Sequence, residues 1–322
     1  MSLINNIKFN YNIKLMDEYF ENKKYDKALA TLAQKNERNF KLYFNLLKYI
    51  NSKYLTNHEH EKFYKNKINW IVTFDNQEAE YINKFLNFYF DQTDRNSYYN
   101  NFYPSILKQI CIDKKIIDFG NEIKFEGFIN FSNLFQTLIL IHLNKSFCFL
   151  NTQAAFFEST ANKYFTYPNI SKSYLFIIRD PRELYLRYKT KYQSANEALN
   201  ELHNFDNRLV KDQYVDNNLD VFENRQSWNI HTKSWIDPNV KSTFNGKIIN
   251  YTDLLSDPED QLISILYHLK ESGNDIQVDY KLVREFLNLN LPEKSEPIDF
   301  SKNEEKLILR DLDRQLLDLF RF

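Results

Sequence analysis

Apolar residues recur at three- and four-residue steps over about residues 13–56, through Leu15, Tyr19, Phe20, Ala28, Leu29 and Leu32 and again through Phe40, Phe44, Leu47 and Ile50. That spacing predicts two amphipathic helices, a hairpin forming an N-terminal helical appendage over residues 1–60. A polar stretch, Thr56 to Lys67, separates it from a chain of different rhythm over 66–322. There, short β-branched and aromatic runs alternate with helical stretches. Ile68 to Phe74, Ser146 to Asn151, Ser173 to Ile178 and Lys247 to Asn250 read as strands. Helices are expected near 76–91, 130–143, 181–193, 217–236, 258–271 and 302–319. The expected fold is therefore α/β, a parallel sheet of four or five strands flanked by helices.

Composition narrows the function classes. With 42 lysines and arginines against 43 acidic residues, the net charge of -1 argues against a chain that coats nucleic acid through its overall field. No apolar run is long enough for a membrane span, and the first ten residues lack the apolar core of a signal peptide. Cys111 and Cys148 form no metal-type pair and read as buried thiols, so a reducing, cytoplasmic setting is expected. No metal site is expected. His58-Glu59-His60-Glu61 has metal-like residue types but no further ligands at a useful spacing, and reads as a solvated stretch. His231 falls inside a helix, where packing, capping and catalysis are each open to it.

Two segments carry chemistry. Tyr174 to Tyr188 (YLFIIRDPRELYLRY) is a strand that ends in RDPR and opens directly into a helix. Pro181 suits a first helical turn, whose free N–H groups attract anions, and Arg179 sits at the carboxyl end of a strand, where open α/β sheets bind ligands. Gly246 to Glu259 (GKIINYTDLLSDPE) is a strand followed by a turn in which Asp257-Pro258-Glu259 starts a helix. In content, order and approximate spacing these segments are similar to those of the sulfotransferases that use 3′-phosphoadenylyl sulfate. The resemblance covers about residues 66–272. It implies a P-loop-type fold and sulfuryl transfer from 3′-phosphoadenylyl sulfate to a hydroxyl or amine on a small molecule or glycan. It places Arg179 at the 3′-phosphate and Tyr251 near the adenine; Arg187 stands where the family usually offers a serine to that phosphate, and both phosphate binding and a surface ion pair are open to it.

The departures from that family are equally specific. Its first strand leads into a glycine-containing loop with a basic residue that cradles the 5′-phosphosulfate. Here the corresponding residues are Asp75-Asn76-Gln77-Glu78-Ala79-Glu80, with no glycine and no cation. Asp75 with Glu78 three positions on predicts a capping pair that takes the same N–H groups a phosphate needs. Asn151-Thr152-Gln153 stands where many members carry a basic histidine, and an amide is no proton acceptor near neutral pH. No general base can be assigned, and the family's closing glycine loop is missing from the tail. Two functions follow: a sulfuryl transferase by descent, or a catalytically inactive sulfotransferase-fold module that binds a protein partner or assembles with itself.

Overall fold

In the computed structural model, residues 3–22, 49, 53, 67–93, 98–102, 136, 140, 147–158, 163–166, 168, 170–203, 210–211, 222–223, 225–292 and 301–322 are described. The sheet strands are β1 Ile68–Thr73, β2 Tyr98–Phe102, β3 Phe147–Thr152, β4 Ser171–Ile178 and β5 Gly246–Asn250. The helices are α1 Leu3–Glu21, α2 Gln77–Thr93, α3 Pro181–Tyr192, α4 Ala195–His203, α5 Trp228–Ile236, α6 Pro238–Thr243, α7 Tyr251–Ser256, α8 Pro258–Glu271, α9 Tyr280–Leu289, α10 Lys302–Arg310 and α11 Arg314–Phe320. Two-residue strands at 157–158 and 163–164, and at 210–211 and 222–223, pair with each other outside the sheet.

The five strands lie in the order β2-β3-β1-β4-β5, and every neighbouring pair is parallel. β1 and β3 are buried along their whole length. A central parallel strand is covered by helices on both faces, which is why these segments are near-continuous apolar runs. Trp70, Val72, Phe74, Leu150, Tyr174 and Phe176 face α3, α4, α5 and the C-terminal helices. Ile71, Phe149, Leu175, Ile177 and Ile249 face α2, α8 and α9. Each fully buried Leu or Phe side chain in these layers contributes about 1.5–3 kcal/mol. Met16 of α1 joins the first layer, and Tyr49 donates its hydroxyl to the Asp17 carboxylate at 2.9 Å, so the N-terminal helix is tied both to the core and to a later segment.

Some polar groups inside these layers pair with one another. Asn69 and Asn274 exchange side-chain amide bonds at 3.1 and 3.2 Å, and Ser173 donates to Asn69 at 2.7 Å. At Gly246 the main chain passes so close to the Tyr174 ring that a Cβ would lie 2.1 Å from Cζ. Only glycine permits that approach.

Four of the five strands fall within two residues of the positions expected. β2 (YYNNF) was not anticipated, because asparagines are depleted from strands. It is an edge strand paired only with β3, and the Asn100 amide is used, donating to Asn83 at 2.9 Å. The helix expected over 302–319 is two helices, since Asp313 accepts from the Gln315 N–H at 2.9 Å and caps a new start. The helix expected over 217–236 begins at Trp228, with Ser227 capping it and Phe222–Glu223 extended. The His58 to Glu61 run and Cys111 lie outside the described residues, as do most of the second N-terminal helix and the helix near 130–143. Cys148 is a buried free thiol whose pKa burial pushes up to about 12, which makes it chemically inert. Among the described residues, no helix is long and apolar enough to cross a membrane.

Candidate functional site at the carboxyl edge of the sheet

β1 is the first strand, and the chain places β2 and β3 on one side of it and β4 and β5 on the other. The crevice outside the carboxyl ends of the strands at such a switch point is where open α/β sheets take ligands. Four chain segments meet there: Phe74 to Glu78 after β1, Arg179 to Arg187 after β4, Tyr251 after β5, and Arg225 from the approach to α5.

The turn after β1 is closed by its own side chains. Asp75 Oδ1 accepts from the Gln77 N–H, and Glu78 Oε2 accepts from the Asp75 N–H, both at 3.2 Å. Backbone bonds from Glu78 to the Asp75 carbonyl and from Ala79 to the Asn76 carbonyl, at 3.2 and 3.0 Å, complete a plain strand-to-helix turn. This is the reciprocal capping that the Asp75–Glu78 spacing predicts. Glu78 is fully buried, and burial pushes its pKa up to about 7, with Asp75 adding to the rise and Arg187 and Arg179 opposing it.

Arg187 answers those carboxylates. From the second turn of α3 it reaches back so that Nη1 lies 3.5 Å from Asp75 Oδ2 and 3.6 Å from Glu78 Oε1. Burial works against its charge, but Glu78 and Asp75 outweigh it and push the pKa up. Arg179, at the end of β4, makes its ion pair one helical turn along: Nε bonds Glu183 Oε2 at 2.5 Å, and the guanidinium lies over the Tyr251 ring, 4.5 Å from its centroid. Asp180 caps α3 and holds Arg182 through both carboxylate oxygens, at 3.0 and 2.6 Å. All three candidate residues thus converge on one place, since Glu78 and Tyr251 each feel both Arg179 and Arg187.

Arg225 escaped the sequence reading. It is almost fully buried and bonds Glu201 Oε2 at 2.6 Å and the Glu201 carbonyl at 2.9 Å. The same guanidinium points at the Phe74 carbonyl, 3.5 Å away, and at the Tyr188 hydroxyl, 3.4 Å away, while lying over the Phe74 ring. It therefore fixes the end of β1 to α3 and α4. The sequence reads as helix over 217–236, which includes Arg225, whereas in the fold Arg225 precedes α5, so its contacts are not marked by spacing.

His231 is fully buried between the Phe74 and Phe176 rings, at centroid distances of 5.5 and 5.6 Å. Burial, with the Arg225 charge adding to it, pushes its pKa down to about 3. The Gln153 backbone lies close enough to favour protonation, but at a geometry that leaves both ring nitrogens without a regular hydrogen bond. It is a packing residue held neutral. Among the described residues, no group of three His, Cys, Asp or Glu side chains is arranged to hold a metal ion.

A phosphosulfate does not fit the turn after β1 as it stands. The Asp75 and Gln77 N–H groups already bind carboxylates, and two acids face the place where the donor's charge would lie. A carboxylate about 4 Å from a phosphate costs about 1 kcal/mol in water and several times that at reduced dielectric. No family model matches this chain, and no curated protein matches it.

Proposed function

We propose that this chain is a sulfotransferase-like protein whose donor site has become an internal ion-pair hub, and that it serves as a binding or assembly module and not as a sulfuryl transferase. One observation carries the reading: Arg187, the cation that stands where the family usually offers a serine to the phosphate, is set between Asp75 and Glu78 and forms ion pairs with carboxylates of the same chain. Arg179 is committed likewise, to Glu183. Sulfuryl transfer from 3′-phosphoadenylyl sulfate is the rival reading, and what favours it is Arg179 stacked on Tyr251 at the carboxyl edge, where the resemblance implies a nucleotide.

The two readings separate on a repaired loop. Asn76→Lys, Glu78→Gly and Glu80→Thr together remove two negative charges and add one positive at the start of α2. Calorimetry with adenosine 3′,5′-bisphosphate is expected to show binding in this variant at least about tenfold tighter than in the unaltered protein, a difference of about 1.4 kcal/mol. Equal affinity, with the unaltered protein already binding in the low micromolar range, favours the transferase.

A further inference from the structure

The opposite edge of the sheet carries a separate concavity. A cleft of 410 Å³ opens between α6 and the carboxyl end of α8, over the start of β5, and is lined by Lys241, Asn245, Gly246, His268, Glu271 and Ser272 among others. Its volume falls in the range of small-molecule sites. Its frame is fixed by hydrogen bonds: the Ser272 hydroxyl donates to the His268 carbonyl at 2.8 Å, and the Asn245 amide donates to the Lys172 carbonyl at 3.2 Å.

The charges there are left over from folding. Lys241 on α6 and Glu271 on α8 both line the cleft, and neither is held in an ion pair among the described residues. Lys247, next to the lining residue Gly246 on β5, is half-buried and donates to the Ser264 hydroxyl at 2.6 Å. Burial pushes its pKa down, Glu271 opposes this and Lys241 adds to it. His268 is kept neutral by burial and by Lys247, although the Asn245 and Tyr174 backbone lies near it, and its Nε2 is buried without a partner. On the next strand, Lys172 is lowered by burial and by repulsion from Lys67. Lysines at the carboxyl ends of helices ordinarily serve the helix dipole. That accounts for an exposed lysine such as Lys241, but not for a half-buried one on a strand with no carboxylate in contact. Such a cation is stabilised by an arriving negative group.

We propose that this cleft binds a small oxyanion, a carboxylate or phosphate group, at Lys241 within the field of Lys247, with Glu271 facing a hydroxyl or ammonium on the same molecule. The proposal is independent of the fate of the carboxyl-edge site, from which it is separated by the length of the sheet.

The test titrates the protein at low ionic strength with sodium phosphate and with sodium glutamate, each against matched sodium chloride, by calorimetry or amide chemical shifts. Saturable binding of at least one of them is expected, with a dissociation constant of about 1 mM or below. Which of the two binds identifies the source of the anion. Lys241→Ala, an exposed change that leaves the fold intact, is expected to weaken it at least about fivefold, and Glu271→Gln to strengthen phosphate binding. No saturable binding beyond chloride overturns the proposal, as does binding that Lys241→Ala leaves unchanged.

Discussion

Arg187→Met is expected to lower stability by about 3 kcal/mol or more at pH 8, measured by urea denaturation, because it leaves Asp75 and the buried Glu78 without their cation. The loss should shrink at pH 5, and the sign follows from Glu78. Its pKa in the folded chain is raised from 4.5 to about 7. A carboxyl raised in this way contributes stability that is full below about pH 4.5 and is lost as pH rises to about 7. Removing Arg187 takes away the main opposing charge, so the penalty for ionising Glu78 grows and is felt above that window. Glu78→Gln should do the reverse. It keeps an acceptor for the Asp75 N–H, removes the buried charge, and flattens the pH dependence between 4.5 and about 7. A pH-independent cost for Arg187→Met would mean that Glu78 and Arg187 do not share charge.

A second large effect sits at His231. Its pKa falls from 6.5 to about 3 on folding, since the imidazolium has no water and faces Arg225. A base lowered in this way contributes stability that is present above about pH 6.5 and is lost as pH falls toward 3. Between pH 7 and pH 4 this one group should account for roughly 3 kcal/mol of lost stability. His231→Leu fills a similar volume between Phe74 and Phe176 without a titrating nitrogen, so its stability should hardly change over that interval from this cause. If wild type and variant lose stability in parallel on acidification, the ring is not buried neutral as described.

The fold was legible where burial is two-sided. β1, β3 and most of β4 announce themselves as apolar runs because both faces are covered, whereas β5 (GKIIN), the other edge strand, with only Ile249 buried, shows only as a short Ile248-Ile249 pair. β2 hides because an edge strand tolerates Asn100 and Asn101, which read as loop. The capping of α2 was legible too, since Asp75 and Glu78 stand three residues apart and that spacing suffices. The commitments of the arginines were harder. The Arg179 to Glu183 spacing is a helical turn, yet the adjacent Asp180 is the more obvious partner by sequence; in the fold Asp180 turns instead to the helix start and to Arg182. Arg225 and Glu201 could not be paired from sequence, because their contact depends on how α4 packs beside the end of β1.

Asp75, Glu78 and Glu183 hold Arg187 and Arg179, the cations a phosphate at this edge would need. Thermal melting with adenosine 3′,5′-bisphosphate tests this most directly. A ligand present at a hundredfold excess over its dissociation constant stabilises by about 2.7 kcal/mol. We expect no shift in Tm at 1 mM bisphosphate, a concentration about a hundred times that which half-saturates a low-micromolar site. A rise of several degrees, abolished by Arg179→Ala, would contradict the account and return the carboxyl edge to a nucleotide.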